Sequence, residues 1–283
     1  MKKVIVHNGV FHADDCMVVA MMKWLYPEIV VERKGINQIT DEDKNDPDIL
    51  IADIGYGEFD HHQKDAKLRS DGNKHAACGL VFEKFKNELF PDESSARLFR
   101  NSFIIPIEDA DNGISHNSIT SAIIAFRPNI LNNSPTAMES RFDEAVDFLY
   151  DILMRAINNA KADVIAKEMV TGFEKDFPDG ILIREDYFPV ELLCDSSIVL
   201  EISKNLRGGY QIVTVKVNNN SFEDKISLPL AWLEIKPDGC NFVHQNRFIA
   251  SFDTKDQAIS AAKKVIAFSK LEMPKPDVAG LPY

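Results

Sequence analysis

No two cysteines stand close enough in this chain to form a CxxC pair. Cys16, Cys78, Cys194 and Cys240 are all that it carries. That spacing suits neither a thiolate zinc site nor a disulfide framework, and we expect buried, reduced thiols in a cytoplasmic protein. No run approaches the roughly 18 uninterrupted apolar residues that a membrane span requires. The opening Met1-Lys2-Lys3 leads into a Val-Ile-Val that His7 and Asn8 end, so we expect no signal peptide and no membrane association. Positive charge is scarce: 32 Lys and Arg against 44 Asp and Glu leave a formal charge of −12. A protein that grips nucleic acid through counterion release is normally basic. The balance therefore argues against non-specific duplex binding, although a metal cluster would reverse the local field and admit a nucleotide. Internal repeats and low-complexity tracts are missing as well. What is present is a 283-residue chain, 45% hydrophobic with 18 Phe, enough for one large core or two domains.

Val4 to His7 reads as a short buried strand, and Cys16 to Tyr26 as a helix that Asp14 or Asp15 is placed to cap. Ile49 to Ala52 reads as a second apolar strand ending at Asp53. His75 to Phe90 has helical periodicity, with Leu80, Val81, Phe85 and Leu89 on one face. Ser94 to Ile105 follows as a helix, with Pro106 and Asp111-Asn112-Gly113 expected to interrupt the region. Phe142 to Phe177 keeps an apolar stripe at 3.6-residue spacing, as one helix or two joined, and Pro178-Asp179-Gly180 ends it. Beyond lie predicted strands at Ile198–Ile202, Tyr210–Val217, Phe242–His244 and Phe248–Phe252, then a helix from Ala258 to Phe268. Alternating strands and helices imply an α/β protein with a parallel sheet covered on both faces. We place domains at 1–180 and 181–273, with a proline-rich tail at 274–283.

Four clusters of His and Asp lie in the first 111 residues. They are His7 to Asp15, which holds His7, His12, Asp14 and Asp15; Asp53; Asp60-His61-His62-Gln63; and Glu108-Asp109-Ala110-Asp111. Most follow a predicted apolar strand, and in open α/β sheets ligands bind at the carboxyl ends of the strands. A lone Asp after a strand is ordinarily a helix cap, and a lone His pair is ordinarily surface. Four groups at matching strand ends favour a shared metal cluster. Mixed imidazole and carboxylate donors suit Mn²⁺, Zn²⁺ or Fe²⁺ better than an all-oxygen Mg²⁺ site. The ligands would suffice for two ions about 3.5–4 Å apart. His75 and His116 have no such grouping and read as ordinary helix or loop positions.

Asp60-His61-His62 resembles the signature of the DHH phosphoesterase superfamily. A nearer resemblance is to the melanocyte-proliferating-gene (MYG) family of metal-dependent hydrolases, also described as 3′–5′ RNA exonucleases. It rests on His-Asn-Gly-Val-Phe-His at 7–12, Asp53, Asp-His-His-Gln at 60–63, Ala-Cys-Gly-Leu-Val at 77–81 and Asp-Asn-Gly-Ile-Ser at 111–115. Phe188-Pro189 and Gly239 to His244 add to it more weakly. The resemblance implies a DHH-type N-terminal domain with a parallel sheet flanked by helices, plus a smaller α/β C-terminal domain. It implies metal ligands among His7, His12 and Asp14, a bridging ligand at Asp53, a further ligand at His61, and His62 facing the phosphate. Asp15 stands where the family often has Glu. Asp111 matches the fourth motif, although Glu108 and Asp109 remain alternatives there. His244 is implied as a substrate contact of the smaller domain, or else a buried structural residue.

These readings imply a hydrolase with two divalent ions, manganese foremost and Mg²⁺, Zn²⁺ or Fe²⁺ as alternatives. His62, Asp60 and Asp15 make up the catalytic set, and amides near Gly79 at a helix start would receive a phosphate. Lys64, Lys67, Arg69 and Lys74 offer a basic rim. The expected substrate is single-stranded RNA or a short oligonucleotide cut 3′ to 5′. A small nucleotide or pyrophosphate is one alternative, and a non-catalytic metal-binding scaffold is another. A second copy of the chain is a further candidate partner.

Overall fold

A computed structural model of the chain describes residues 1–186, 188–219 and 221–272; the expected tail lies outside them. The chain divides into two compact units, Met1–Ala162 and Asp163 onward.

The first unit is built on a three-stranded parallel sheet. Its central strand is β1 (Lys3–His7), flanked by β2 (Val30–Lys34) and β3 (Ile49–Ile51). Val4, Ile5 and Val6 are fully buried, as expected of a parallel strand covered on both faces. Between β1 and β2 runs α1 (Ala13–Leu25), and between β2 and β3 the short α2 (Asp41–Asn45). Helix α1 starts earlier than its apolar pattern suggests. His12 occupies the N-cap position, and its N–H donates to the Asp15 carboxylate at 2.8 Å, which satisfies one donor at the helix start.

After β3 a long loop leads to α3 (Ala77–Leu89), followed by α4 (Glu93–Phe99) and α5 (Ile105–Asp111). Pro106 does not interrupt this stretch. Arg100–Ile104 forms a π-helical turn joining α4 to α5, and the Ile105 N–H donates to the Arg100 carbonyl. A wider turn tolerates a following proline that has no N–H to give. The helical path therefore reaches Asp111. Helix α6 (Ser118–Phe126) was not anticipated; Asn117 caps it by accepting from Thr120 N at 3.0 Å.

Helix α7 (Pro135–Asp176) is continuous over 42 residues. Phe142, Val146, Leu149, Leu153 and Ile157 from it complete the core of the first unit with α1, α3 and α5. The division between units falls within α7, upstream of the Pro178-Asp179-Gly180 turn where the sequence suggests one. The cause is packing: Ala166 and Val170 cluster with Leu182, Ile198 and Val215, so the last turns of the helix belong to the second unit.

That unit carries a five-stranded sheet in the order β4-β5-β6-β8-β7, from β4 (Ile181–Ile183), β5 (Leu200–Lys204), β6 (Tyr210–Thr214), β7 (Cys240–Val243) and β8 (Ile249–Phe252). Strands β4 and β5 are parallel and the rest antiparallel. Helix α8 (Lys255–Glu272) contributes Ala258, Ala261, Ala262 and Val265 to a core shared with Ile202, Ile212, Ala250 and Phe252. The α/β class read from the sequence is the class observed. Cys16, Cys78 and Cys194 are buried free thiols, whereas Cys240 is partly exposed. No helix among the described residues is long and apolar enough to cross a membrane.

Candidate metal centre

The ends of β1 and β3 are neighbours in one sheet, and their next residues meet above it. Asp53 is the hub. Its Oδ2 lies 3.3 Å from His7 Nε2, and its Oδ1 lies 3.2 Å from His61 Nε2 and 3.7 Å from His62 Nδ1. Asp53 takes up a left-handed backbone, φ 59°, which Asp tolerates better than most residues. Asp111, at the end of α5, approaches His61 Nε2 at 3.2 Å and His12 Nδ1 at 3.7 Å. Asp15 Oδ2 faces His7 Nε2 at 3.4 Å.

Three sets of donor atoms converge closely enough to hold a cation: His7, His12 and Asp53; Asp53, His61 and His62; and Asp14, His61 and Asp111. Asp53 belongs to two of them. Asp15 Oδ2 is buried with no hydrogen-bond partner among the described residues, a cost that an incoming cation would remove. The donor chemistry therefore fits divalent ions of the imidazole-and-carboxylate class.

The electrostatics agree with that fit. Burial opposes a charge on His7 and His61, but the carboxylates around them outweigh it. Hydrogen bonding to Asp53 and the field of Asp15 raise His7 to about 9, and Asp111 and Asp53 raise His61 to about 10. Burial also works against the Asp53 carboxylate, yet His61 and His7 hold it down to about 2. Burial pushes Asp15 up to about 7 and, together with the nearby Asp53 and Asp111, drives Asp14 well upward. His12 moves the other way, lowered chiefly by burial. Without an ion, protons on two imidazoles supply the positive charge that this concentration of carboxylates demands.

Several residues named from the sequence serve as supports around the cluster. Asp14 accepts from the amides of Ala77 and Cys78 at 3.0 and 2.7 Å, so the start of α3 is already occupied by a carboxylate. Gly79 is buried one residue beyond and does not line the cavity described below. Its lack of a side chain admits the Glu108 carboxylate, which a Cβ there would overlap. Asp60, also buried, accepts from His62 N at 3.1 Å and from His62 Nδ1 at 2.7 Å, fixing that ring.

Of the three acids at 108–111, Asp111 is the one whose carboxylate reaches the cluster. Glu108 instead accepts from His75 Nδ1 at 2.7 Å, Ala76 N at 3.2 Å and Arg69 Nη1 at 3.2 Å, and Asp109 pairs with Arg69. Arg69 is thus buried and committed to acids, so it is removed from the expected basic rim; Lys74 remains exposed at the cavity. His75 is a structural partner of Glu108, as its isolation in sequence suggests. His244 lies in the second unit, where its ring packs tilted against Phe248 with centroids 4.4 Å apart and its Nδ1 accepts from Asn246 N.

A cavity of about 670 Å³ opens above the cluster. His7, His12, Asp53, His61, His62 and Asp111 form one part of its lining. Ile36, Gly55, Tyr56, Lys74 and Asn112 contribute to the rest. In this second group the sequence drew no attention to Ile36 or Tyr56. The available signal for Tyr56 was an aromatic placed between Gly55 and Gly57, three residues after Asp53.

Residues 3–266 match the family model described as Uncharacterised protein family (UPF0160), MYG1_exonuc. The chain belongs to this MYG1 exonuclease family. Among similar curated proteins, the MYG1 protein C694.04c of Schizosaccharomyces pombe is 24% identical, the match covering 94% of this chain and 98% of that one. The MYG1 exonuclease of Homo sapiens is 23% identical over 92% of this chain and 85% of its own. Among solved structures, the pGpG-specific phosphodiesterase PggH from Vibrio cholrae gives a TM-score of 0.31 at 12% identity, covering 96% of this chain and 99% of that chain. RecJ in complex with Mn²⁺ from Thermus thermophilus gives 0.30 at 13%, covering 97% and 53%.

Proposed function

We propose that this protein is a divalent-metal-dependent phosphoester hydrolase that shortens single-stranded RNA or short oligonucleotides from the 3′ end. The observation that carries the reading is Asp53, one carboxylate shared between an imidazole pair from the first motif and another from the third. The family relatives named as exonucleases support cleavage of a nucleic acid from an end.

His7, His12, Asp14, Asp53, His61 and Asp111 would hold two ions, with Mn²⁺ the preferred metal, and Asp15 Oδ2 is placed to complete the set. Bound ions of this class supply Lewis acidity and lower the pKa of water at neutral pH. The chain's own residues do the remainder. His62 is the most exposed member of the cluster, with its side chain 57% accessible, and it faces the cavity. Its Nδ1 is engaged by Asp60, so Nε2 is the atom free to give a proton to the leaving oxygen, the arrangement in which a carboxylate orients an acid. Lys74 at the rim offers a mobile cation for the phosphate chain.

The test is cleavage of end-labelled single-stranded RNA with added Mn²⁺ by the wild type, Asp53→Ala and His61→Ala. Stepwise shortening by the wild type, with losses of about a thousandfold or more in both variants, is the expected result. Equal cleavage by all three proteins would refute the assignment of this cluster. Turnover of small nucleotides without any shortening of RNA would replace the exonuclease with a nucleotide phosphodiesterase.

A further inference from the structure

Asp60 does two things at once. Through Oδ1 it fixes His62, and through Oδ2 it accepts the backbone N–H of Tyr56 at 2.7 Å. Tyr56 stands at φ 58°, a left-handed conformation that non-glycine residues adopt at a cost and that survives only where neighbouring contacts impose it. The residue is 68% exposed, its hydroxyl makes no hydrogen bond among the described residues, and it lines the same cavity as the cluster. Ile36, 46% exposed, lines it too. Exposed apolar surface beside a charged cluster gains nothing from water, and a phosphate alone would leave most of a cavity of about 670 Å³ unfilled.

We infer that Tyr56 is the platform on which a nucleobase of the substrate stacks, with Ile36 as apolar surface in the same slot. The site therefore selects base-bearing nucleotides over bare phosphate esters or pyrophosphate. This rests on the phosphoester reading above and extends it to the substrate class. The one carboxylate of Asp60 sets the base platform and the phosphate-facing imidazole in register, so that a stacked base presents its own phosphate to the cluster. Aromatic stacking tolerates any base, since each has a π face, and it requires no excess of positive charge on the protein.

The experiment compares the wild type, Tyr56→Ala, Tyr56→Phe and Tyr56→Trp on two RNA strands that differ only in whether the 3′-terminal nucleotide is abasic. Removal of the ring is expected to lower the preference for the base-bearing strand roughly five- to hundredfold. The change should lie in KM rather than kcat, and Phe and Trp should restore it. An undiminished preference in Tyr56→Ala would overturn the inference, as would failure of Phe and Trp to rescue. Equilibrium binding of adenosine monophosphate and of ribose 5-phosphate to the Mn²⁺-loaded proteins decides the point independently of turnover. If the wild type cuts neither strand, the hydrolase reading fails. The platform still stands if Tyr56→Ala loses affinity for the nucleotide but not for the sugar phosphate, and it falls if the two ligands weaken together.

Discussion

The two units bury their acids in different company. In the first, Asp14, Asp15, Asp53, Asp60 and Glu108 are buried beside His61, His75 and Arg69, and each acid has an imidazole, a guanidinium or backbone amides to accept from. In the second, the buried acid among the described residues is Glu201 on β5, near neutral Ser203 on the same strand. Its Oε1 has no partner, and burial raises it to about 7. Isolation makes Glu201 take up a proton, whereas crowding with donors lets Asp53 stay ionised. A fold retains several buried carboxylates only where something positive is meant to sit among them, and here that place is the first unit.

Ion loading should break the comparison most visibly. At pH 7 His7 and His61 carry protons in the metal-free protein, and a ligating imidazole must be neutral. Binding therefore releases protons, and apparent affinity should fall by up to about a hundredfold per pH unit of acidification. Calorimetry in two buffers of different ionisation enthalpy counts the protons released. Arg69→Ala should follow. With its cation gone, Glu108 is left buried with only the His75 ring and the Ala76 amide as donors, at about 3–5 kcal/mol to the first unit. Urea denaturation reads this loss, and adding Glu108→Gln should recover part of it.

Gly79→Ala tests the same network by volume. The new methyl meets the Glu108 carboxylate and the His75 ring, and about 1–3 kcal/mol should be lost. A fall in thermal midpoint would show it, whereas a stable variant with weaker substrate binding would restore Gly79 to the site. The smallest effect belongs to Glu201→Gln. Glu201 rises from 4.5 to about 7 on folding, so the folded state holds the extra proton between those values. Stability then declines as pH climbs through that window and stays lower above it. The amide should stabilise the second unit by about 1–3 kcal/mol at pH 8 and by nothing near pH 4, as denaturation at the two pH values will report.

The candidate metal ligands were legible because each lies in a short local pattern. His7 and His12 bracket one loop, Asp53 ends an apolar strand, and Asp60-His61-His62 is contiguous. Strand-end placement was enough to suggest that they meet. Helix α6 and strands β2 and β4 were not anticipated, since Val30–Lys34 mixes charges into an edge strand and Ile181–Ile183 is too short for a period to show. Pro106 misled because a proline reads as a break unless the π turn before it is known.

Sequence by itself determined the α/β class, the apolar strands that end in candidate ligands, and the identity of the His and Asp clusters, because periodicity and strand-end chemistry are local properties. Tertiary structure alone decided which acid of 108–111 faces the cluster, that Arg69 is spent on Glu108, that Asp14 holds the start of α3, and that Tyr56 stands at the cavity. The first three depend on residues brought together across tens of positions, and the last on a left-handed backbone turn at Tyr56 that Asp60, four residues on, holds through its carboxylate; neither is encoded in the spacing of the residues concerned.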